Sequence, residues 1–250
     1  MIFFRVIPLL LLEDESCIKT IKFKKKIYLG DPINIVKIYS ELGVDEILIN
    51  DISDIDKPNF KLLKNISEES FVPLSYGGGV KNLKEIEKIL SYGYEKILFN
   101  SQVFENYEFV KKAIEEFGSS SISISVNLKL NFFKKLKIFN RKKNKFYNED
   151  IISHFEKINQ LAPCETLLTF IDLEGTKNGY NKDLIMKYYK FINTNLIING
   201  GAKDVDDFKF LKNLGASGGV ASSLFSFKQN YESILVNYLT KSEIDEINKL

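Results

Sequence analysis

The chain has 250 residues, which suits one large domain or two small ones, and 44% of them are hydrophobic, so a sizeable core can form. Its 35 Lys and Arg residues nearly balance its 33 Asp and Glu residues, which gives a formal net charge of +2. This balance argues against a dedicated nucleic-acid-binding protein, which usually carries a strongly basic face. The two cysteines, Cys17 and Cys164, lie far apart and indicate free thiols in a reducing compartment.

The first predicted element is the apolar segment Phe3–Leu12. It is superficially similar to a signal sequence, but it is too short to cross a membrane and Arg5 interrupts it. The acidic segment Glu13-Asp14-Glu15-Ser16 follows where a cleavage site with small residues would stand. We therefore predict a buried strand in a cytoplasmic protein that does not insert into a membrane.

Short apolar segments, predicted as strands, alternate with amphipathic segments, predicted as helices. The predicted strands are Phe3–Leu12, Glu46–Asn50, Val72–Tyr76, Lys96–Phe99, Ser121–Lys129, Glu165–Ile171, Leu196–Ile198 and Gly218–Val220. The predicted helices are Pro32–Leu42, Phe60–Ser67, Leu83–Ser91, Tyr107–Phe117, Asp150–Leu161, Lys182–Phe191, Val205–Leu214 and Tyr231–Leu239. Eight of each in 250 residues predict an α/β fold, a (β/α)8 TIM barrel in a single domain. The basic stretch Lys134–Lys145 is predicted as a solvated hairpin after the fifth strand.

An internal repeat supports the barrel. Gly78-Gly79-Val80-Lys81-Asn82-Leu83 and Gly200-Gly201-Ala202-Lys203-Asp204-Val205 lie 122 residues apart, and each leads through a predicted helix to a short strand. The polar pairs that end those strands, Asn100-Ser101 and Ser222-Ser223, show the same offset. The chain is therefore predicted to consist of two (βα)4 halves, residues 1–118 and 119–250.

The repeated loops indicate phosphate binding, because glycine lets backbone N–H groups approach an anion at the start of a helix. The candidate residues are Gly78, Gly79, Asn100, Ser101, Gly200, Gly201, Ser222 and Ser223. Each half offers one site between adjacent loops at the C-terminal face of the barrel. In a crystal grown in phosphate or sulfate, we expect density at Gly78-Gly79 with Ser222-Ser223, or at Gly200-Gly201 with Asn100-Ser101. The alternative is that the glycines merely form tight turns.

Several motifs together resemble a known family. They are Arg5-Val6-Ile7-Pro8, Gly30-Asp31-Pro32, Val44-Asp45-Glu46, Asp51-Ile52, Gly77-Gly78-Gly79, Asp172-Leu173-Glu174-Gly175-Thr176-Lys177-Asn178-Gly179-Tyr180 and Gly200-Gly201-Ala202. In this order they resemble HisF, the cyclase subunit of imidazole glycerol phosphate synthase, over essentially the whole chain. The resemblance implies a class I glutaminase (HisH-like) that binds the bottom of the barrel, and ammonia that travels through the lumen to the cyclase site. It implies no metal and no cofactor.

The chain departs from the family at the two catalytic positions. In HisF, an aspartate at the end of strand 1 and another at the end of strand 5 act as acid and base; the matching residues here are Leu11 and Asn127. Leucine cannot carry a proton and asparagine cannot act as a general base near neutral pH. Four polar residues remain as candidates to bind a ligand at the mouth, without restoring the missing pair: Lys19, Asp51, Asp172 and Thr176. Of these, Lys19 is predicted to lie in a loop after strand 1. The single histidine, His154, is predicted to be an ordinary residue of an outer helix.

Four charged residues open predicted strands at the opposite end of the barrel: Arg5, Glu46, Lys96 and Glu165. Two cations and two anions can form a neutral ring of ion pairs there. The matching residues of HisF form the gate of the ammonia passage, so we favour a gate over a stabilising plug, the usual role of residues at this end. In strand 5, alternation with Asn127 sends Ser121, Ser123 and Ser125 inward, where small hydroxyl side chains leave room for a polar guest.

A barrel that keeps the four gate residues but lacks the two catalytic aspartates is similar to HisF-like proteins of surface-polysaccharide systems, sometimes called WbuZ. These share a strand 1 of the type Pro8-Leu9-Leu10-Leu11-Leu12 and a Tyr-Gly-Gly-Gly loop, here Tyr76–Gly79. They are thought to supply ammonia to a separate sugar amidotransferase that converts an N-acetyl group to an amidine. The leading hypothesis is therefore a non-cyclising, ammonia-conducting barrel. The alternatives are an imidazole glycerol phosphate cyclase that uses other residues and a non-catalytic scaffold that activates a glutaminase.

Overall fold

The computed structural model describes residues 3–54, 57–228 and 233–249. Its strands are β1 (Arg5–Glu13), β2 (Ser16–Ile21), β3 (Lys25–Gly30), β4 (Ile47–Asp51), β5 (Leu74–Gly77), β6 (Lys96–Phe99), β7 (Ile122–Leu130), β8 (Leu136–Asn140), β9 (Lys145–Phe146), β10 (Glu165–Phe170), β11 (Asn195–Asn199), β12 (Gly218–Ala221), β13 (Phe227–Lys228) and β14 (Ser233–Ile234). Its α-helices are α1 (Pro32–Glu41), α2 (Phe60–Glu68), α3 (Leu83–Ser91), α4 (Gln102–Glu105), α5 (Tyr107–Phe117), α6 (Ile151–Leu161), α7 (Lys182–Tyr188), α8 (Val205–Asn213), α9 (Ser223–Ser226) and α10 (Lys241–Asn248).

Eight strands form a closed parallel sheet in the order β1-β4-β5-β6-β7-β10-β11-β12. The sheet closes because β12 pairs with β1, and β7 pairs with both β6 and β10. Helices follow the strands and pack outside. The predicted (β/α)8 barrel is thereby confirmed, and β1 and β7 lie on opposite sides of it.

Strand β7 shows how the core divides into an outer and an inner layer. Ile122, Ile124 and Val126 belong to the large apolar cluster under the helices, as predicted. The intervening side chains of Ser123 and Ser125 are buried on the lumen side. Ser121 does not continue this series, because it lies in a 3-10 turn (Ser119–Ser121) and the strand begins one residue later.

The two halves repeat in backbone geometry as well as in sequence. Gly78 has φ +130° and Gly200 has φ +107°, and a Cβ at either would come within 2.4–2.5 Å of a carbonyl oxygen of the preceding strand's end. The following helices start alike, since Asn82 accepts a hydrogen bond from Glu85 N, and Asp204 from Asp207 N. In each half the N3 carboxylate also accepts a bond from the lysine N–H just before the cap.

Two predictions of local structure were wrong. The chain after β1 is not a loop but the antiparallel hairpin β2–β3, so Lys19 lies in a strand. The predicted helix Tyr231–Leu239 begins outside the described residues, and its described part is extended: Leu235 N donates to Ser226 O and Asn237 N donates to Phe225 O. The helix starts later because Thr240 and Glu243 form a capping box.

The basic stretch after the fifth barrel strand forms a hairpin, as predicted. Strand β7 extends beyond the barrel and pairs antiparallel with β8, which in turn pairs with β9. Among the described residues, every helix is too short or too polar to cross a lipid bilayer.

Candidate functional site

The four charged residues at the bottom of the barrel form a closed ring, called here the charged ring. Arg5 donates to Glu46 at 2.5 Å and also contacts Glu165, while the Lys96 ammonium lies 2.8 Å from Glu46 and 3.2 Å from Glu165. Both glutamates and Lys96 are buried, and Arg5 is only partly exposed. Pairing with both carboxylates raises the pKa of Arg5 against the effect of burial, the largest single influence, which lowers it. Each cation bridges both anions, so no charge in the ring is left uncompensated.

A small cavity lies directly inside the charged ring. It is lined by apolar side chains, the hydroxyls of Ser75 and Ser123, and the two ring glutamates; its apolar lining residues are Ile7, Leu48, Leu98 and Ile197. Ser75 donates to Glu46. The Ser123 hydroxyl is buried without a hydrogen-bond partner among the described residues. The cavity has room for about one water-sized molecule, and it offers that molecule a free hydroxyl.

Above this cavity, apolar side chains line the lumen up to the mouth. Leu11 belongs to one buried cluster with Leu9, Leu48 and Ile18, and Ile52 packs against that cluster. Ile18 comes from the β2–β3 hairpin, where it pairs with Leu11. Leu11, which the resemblance matches to the first aspartate of the cyclase, therefore has apolar surroundings. These surroundings would raise the pKa of any carboxyl group placed at position 11.

Asn127, which the resemblance matches to the second aspartate of the cyclase, lies across the barrel on β7. It lies opposite Thr169 of β10 and is half-buried on the lumen side. The remaining carboxylates near the mouth are held by other groups. Asp51 accepts from Ser53 N and Tyr76 OH, and Asp172 accepts from Leu130 N at 2.7 Å. Neither Asp51 nor Asp172 is therefore free of hydrogen bonds in the described part of the chain.

The β2–β3 hairpin crosses the mouth and is fastened on the far side by Glu174, a residue that sequence reasoning did not select. The Glu174 carboxylate is buried and contacts the ammonium of Lys19, the hydroxyl of Thr20 and the N–H of Phe23. Gly175 fits closely beneath the hairpin, since a Cβ there would lie 2.6 Å from Thr20 O. Glu174 stands in the sequence motif that carried the family resemblance, but its partner could not be inferred from spacing.

A pocket opens beside this hairpin between the loops that follow β11 and β12. Its lining includes Gly201, Ser222 and Ser223, together with Lys19 and Lys177. Both serine hydroxyls are buried and lack a hydrogen-bond partner among the described residues. Burial lowers the pKa of Lys19 to about 7. Free hydroxyls and a glycine backbone suit an oxyanion such as phosphate. Of the two lining amines, Lys19 also contacts the carboxylate of Glu174, which lines the same pocket, and Lys177 donates to Phe227 O.

The expected pairing of each glycine loop with the polar pair of the opposite half is wrong. Gly201 shares its pocket with Ser222 and Ser223 of the same half, because β11 and β12 are neighbours in the barrel. In the first half, the Asn100 amide donates to the carbonyl and hydroxyl oxygens of Ser125, both at 2.9 Å. The two halves therefore differ: the second presents free hydroxyls, whereas the amide of the first is already bonded.

The other predicted residues are not among those that line this pocket. Thr176 donates to Leu173 O within its own loop. Gly78 and Gly79 form the first-half loop against Asp51 and Pro58, and Ser101 starts α4 without a side-chain cap bond. His154 is a packing residue of α6, as predicted: it stacks on Phe104, and burial lowers its pKa to about 4.

Comparison with known proteins identifies the family that the sequence motifs resemble. The family model described as "Histidine biosynthesis protein" matches residues 5–232. The chain is 37% identical over 244 residues to a Vibrio vulnificus protein named "Putative imidazole glycerol phosphate synthase subunit hisF3", with 96% of this chain and 94% of the relative covered. It is 33% identical to a Leptospira interrogans protein with a similar name, with 96% of each chain covered. It is 31% identical to the "Imidazole glycerol phosphate synthase subunit HisF" of Helicobacter hepaticus, with 94% of each covered. The chain therefore belongs to the histidine biosynthesis protein family and, within it, to the HisF-like barrels.

Proposed function

We propose that this chain conducts ammonia within a glutamine-dependent amidotransferase complex and does not itself catalyse cyclisation. The observation that carries the proposal is the contrast along the barrel axis. At the bottom, the charged ring opens onto a cavity of molecular size with the unpaired Ser123 hydroxyl. At the mouth, Leu11 lies in an apolar cluster where an acid or base would be needed.

The charged ring suits the entry of a small neutral molecule. A molecule that passes through must transiently separate one cation from a carboxylate. Lys96 is the side chain best able to move, because its single ammonium ends a flexible stem, whereas the Arg5 guanidinium holds both glutamates with a rigid fork. Beyond the ring, neutral ammonia meets the hydroxyls of Ser75 and Ser123 and then apolar walls, from which ammonium would be excluded by its desolvation cost.

The surface around the ring suits a protein partner, which we infer to be a class I glutaminase. Phe71 precedes β5 and is 87% exposed, and Phe3 precedes β1 and is 57% exposed. Leu42, at the end of α1, is also exposed on this side. Large exposed apolar side chains around an entry point are typical of an interface.

The acceptor of the ammonia is proposed to be an N-acetyl sugar that is amidated during surface polysaccharide biosynthesis by a separate sugar amidotransferase. Two features support an acceptor enzyme other than this chain. Asp51 and Asp172, the predicted carboxylates of the mouth, already accept hydrogen bonds, and strand 1 is similar to that of the WbuZ-type barrels. The pocket beside Ser222 and Ser223 would bind the phosphate of a nucleotide-linked sugar, or the phosphate of a ligand of the kind that HisF proteins bind.

The decisive experiment is co-expression with a class I glutaminase, followed by isotope tracing. We expect a stable complex and a glutaminase rate that rises when this chain is present. With glutamine labelled in its amide by ¹⁵N, unlabelled ammonium in excess and a sugar amidotransferase, the amidine should carry the label. If the amidine carried the same ratio of labelled to unlabelled nitrogen as the ammonium in solution, conduction would be contradicted. The absence of both a complex and a stimulated glutaminase rate would contradict conduction and a scaffold role alike.

Imidazole glycerol phosphate cyclisation is the second candidate. The names of the relatives and the oxyanion pocket favour it. It requires acid–base groups that we have not assigned; the titratable side chains that line the pocket are Lys19, Glu174 and Lys177. A scaffold that only activates a glutaminase is the third; it predicts stimulation without transfer of labelled nitrogen.

A further inference from the structure

Two neighbouring hairpins at the mouth concentrate positive charge. The segments 22–26 and 129–145 contain twelve of the 35 Lys and Arg residues and no Asp or Glu. The rest of the chain therefore carries a net charge of −10, against +2 for the whole. The hairpins lie side by side, since the Arg141 guanidinium of the β8–β9 turn is 5.8 Å from the ring centre of Phe23 in the β2–β3 turn.

Most of these cations have no acidic partner. Lys26 pairs with Glu13, Lys142 with Asp54, and Lys143 with Glu105. For the remaining exposed lysines, no carboxylate of the described residues lies within ion-pair distance; they are Lys22, Lys24, Lys25, Lys134, Lys135 and Lys145. The outward surface of the two hairpins therefore presents uncompensated positive charge.

The tip of the β7–β8 hairpin adds two apolar side chains to this surface. Phe132 is 94% exposed and Phe133 is 76% exposed, and their rings contact each other edge to face. Three hydrogen bonds hold the tip: Asn131 N to Lys135 O, Lys134 N to Asn131 O, and Lys135 N to Asn131 Oδ1. The phenyl rings are thus held in solvent by an ordered turn.

We propose that the surface formed by these two basic segments docks on an anionic lipid membrane, with Phe132 and Phe133 of the β7–β8 tip entering the headgroup layer. Lysines beside protruding aromatic side chains are the combination that peripheral proteins use at a membrane surface. A protein partner fits less well, because lysine is depleted in protein interfaces. A nucleic acid fits less well, because its binders track the backbone along a groove, whereas these rings stand on a convex tip. This inference is independent of ammonia conduction.

The absence of tryptophan from the sequence gives a direct test. The variant Phe133→Trp carries one tryptophan at the hairpin tip, and Phe71→Trp carries one at the barrel bottom with similar exposure. With vesicles of phosphatidylcholine and phosphatidylglycerol (7:3), we expect the emission of Phe133→Trp to shift to the blue and that of Phe71→Trp to stay unchanged. With phosphatidylcholine alone, neither should shift.

Co-sedimentation of the otherwise unmodified chain with the same vesicles separates the two contributions. We expect Phe132→Ser with Phe133→Ser to lower the partition coefficient at least about tenfold, because each buried phenyl ring contributes strongly to transfer. Lys134→Glu with Lys135→Glu should lower it by a similar factor, since each lysine near an anionic surface contributes to attraction. The control Lys61→Glu with Lys64→Glu makes the same charge change on exposed residues of α2 and should have little effect.

Three results would overturn the proposal. Failure of the parent chain to bind anionic vesicles would leave an acidic protein surface as the occupant. Equal vesicle binding by the double serine variant would show that charge alone suffices. Binding of an oligothymidylate with the same dependence on Phe132 and Phe133 would assign the surface to single-stranded nucleic acid.

Discussion

The two ends of the barrel use their polar residues in different ways. At the bottom, four charges from four strands form a closed ring in which every ion pair is made inside the lumen. At the mouth, Asp51 and Asp172 bind loop N–H groups, and Leu11 takes an apolar place in the lumen. The difference teaches that a ring of buried ion pairs can stand at one end of such a barrel while the other end has an apolar contact at Leu11. It is the basis on which we propose conduction of a small molecule without cyclisation.

The largest expected effect concerns cyclisation at the mouth. Positioned proton transfer contributes typically about 10²–10⁴-fold per group, so the chain with Leu11 and Asn127 should convert the ribulosyl substrate at a rate near background. The assay supplies ammonium salt directly and so bypasses any glutaminase. Leu11→Asp with Asn127→Asp should restore at most a trace, because the carboxyl at position 11 would be surrounded by Leu9, Ile18 and Leu48.

Matched single variants identify the cause of any recovered activity. Asn127→Asp alone changes the half-buried position, and Leu11→Asn adds a polar group of the same shape as aspartate without a charge. Robust turnover by the unmodified chain would contradict the proposed function and assign the chemistry to other mouth residues.

The second prediction concerns the removal of one cation from the charged ring. Arg5→Ala leaves Glu46 and Glu165 with a single cation, and removing one partner of a fully buried pair costs about 3–5 kcal/mol. We expect about 2–3 kcal/mol in the free energy of unfolding by urea, because the Arg5 side chain is 21% exposed and solvent screens part of the loss. The surface change Lys111→Ala, next to Glu115 at 4.0 Å, should cost less than about 0.5 kcal/mol.

The same variant separates a gate from a plug. In the complex with a glutaminase, Arg5→Ala should leave glutamine hydrolysis largely intact while less of the released nitrogen reaches the product. The measurement is the ratio of amidine formed to glutamate released. An unchanged ratio in a folded variant would indicate that the ring only stabilises the barrel.

The third prediction compares the two halves of the mouth. Ser222→Ala with Ser223→Ala should weaken sulfate binding by roughly tenfold or more, since each hydroxyl now free would donate to a charged group. The matched change in the first half, Asn100→Ala with Ser101→Ala, should have a smaller effect, because the Asn100 amide already bonds Ser125. Calorimetry with sulfate measures both, and equal losses would remove the distinction between the halves.

The smallest expected effect is on pH dependence. Burial lowers the pKa of Lys19 to about 7, so its amine is protonated below that pH and increasingly neutral above it. Sulfate does not titrate in this range, and its affinity should fall a few-fold, at most about tenfold, as pH rises from 6 to 8. Lys19→Gln should flatten this dependence while Lys61→Gln should preserve it. An undiminished slope in Lys19→Gln would assign the titration to another group.

Whereas sulfate affinity should fall as pH rises, the contribution of Lys19 to the free energy of unfolding should increase. The amine binds its proton less tightly in the folded chain, near pH 7, than in the unfolded chain, near its ordinary value of about 10.5. Between these values the unfolded state binds more protons, so the contribution of Lys19 to stability rises with pH. The matched Lys19→Gln variant, compared by urea unfolding at pH 7 and pH 9, isolates that contribution.

The barrel could be predicted because its signals are local and repeated. Alternation in β7 placed Ile122 and Ile124 outside and Ser123 inside, and the 122-residue offset related Gly78 to Gly200. The C-terminal helix was misplaced because five of the six residues 234–239 are apolar, which suits an extended segment as well as a helix. Tyr238, for example, donates its hydroxyl to Val6 O, a contact 232 residues away that no local pattern contains.

The residues of the candidate site could be predicted where the sequence showed at which end of a barrel strand each one lies. The charged ring follows from four residues that open parallel strands, because those ends must meet at one edge of a closed sheet. The roles of Asp172 and Glu174 were not predictable, since each depends on which backbone N–H or ammonium the folded loops bring near it. The same holds for Ile18, whose hairpin folds back over the lumen.

The charged ring also bears on how such a barrel assembles from fragments. Arg5 and Glu165 are separated by 160 residues, so the last ion pairs form only when the sheet closes. If the chain is cut at the predicted seam after residue 118, the first fragment takes two cations and one anion of the ring and the second takes the remaining anion. Each fragment then exposes an uncompensated ring charge of opposite sign. The ring would thereby act as an electrostatic latch that favours complementation between unlike fragments over self-association of either one.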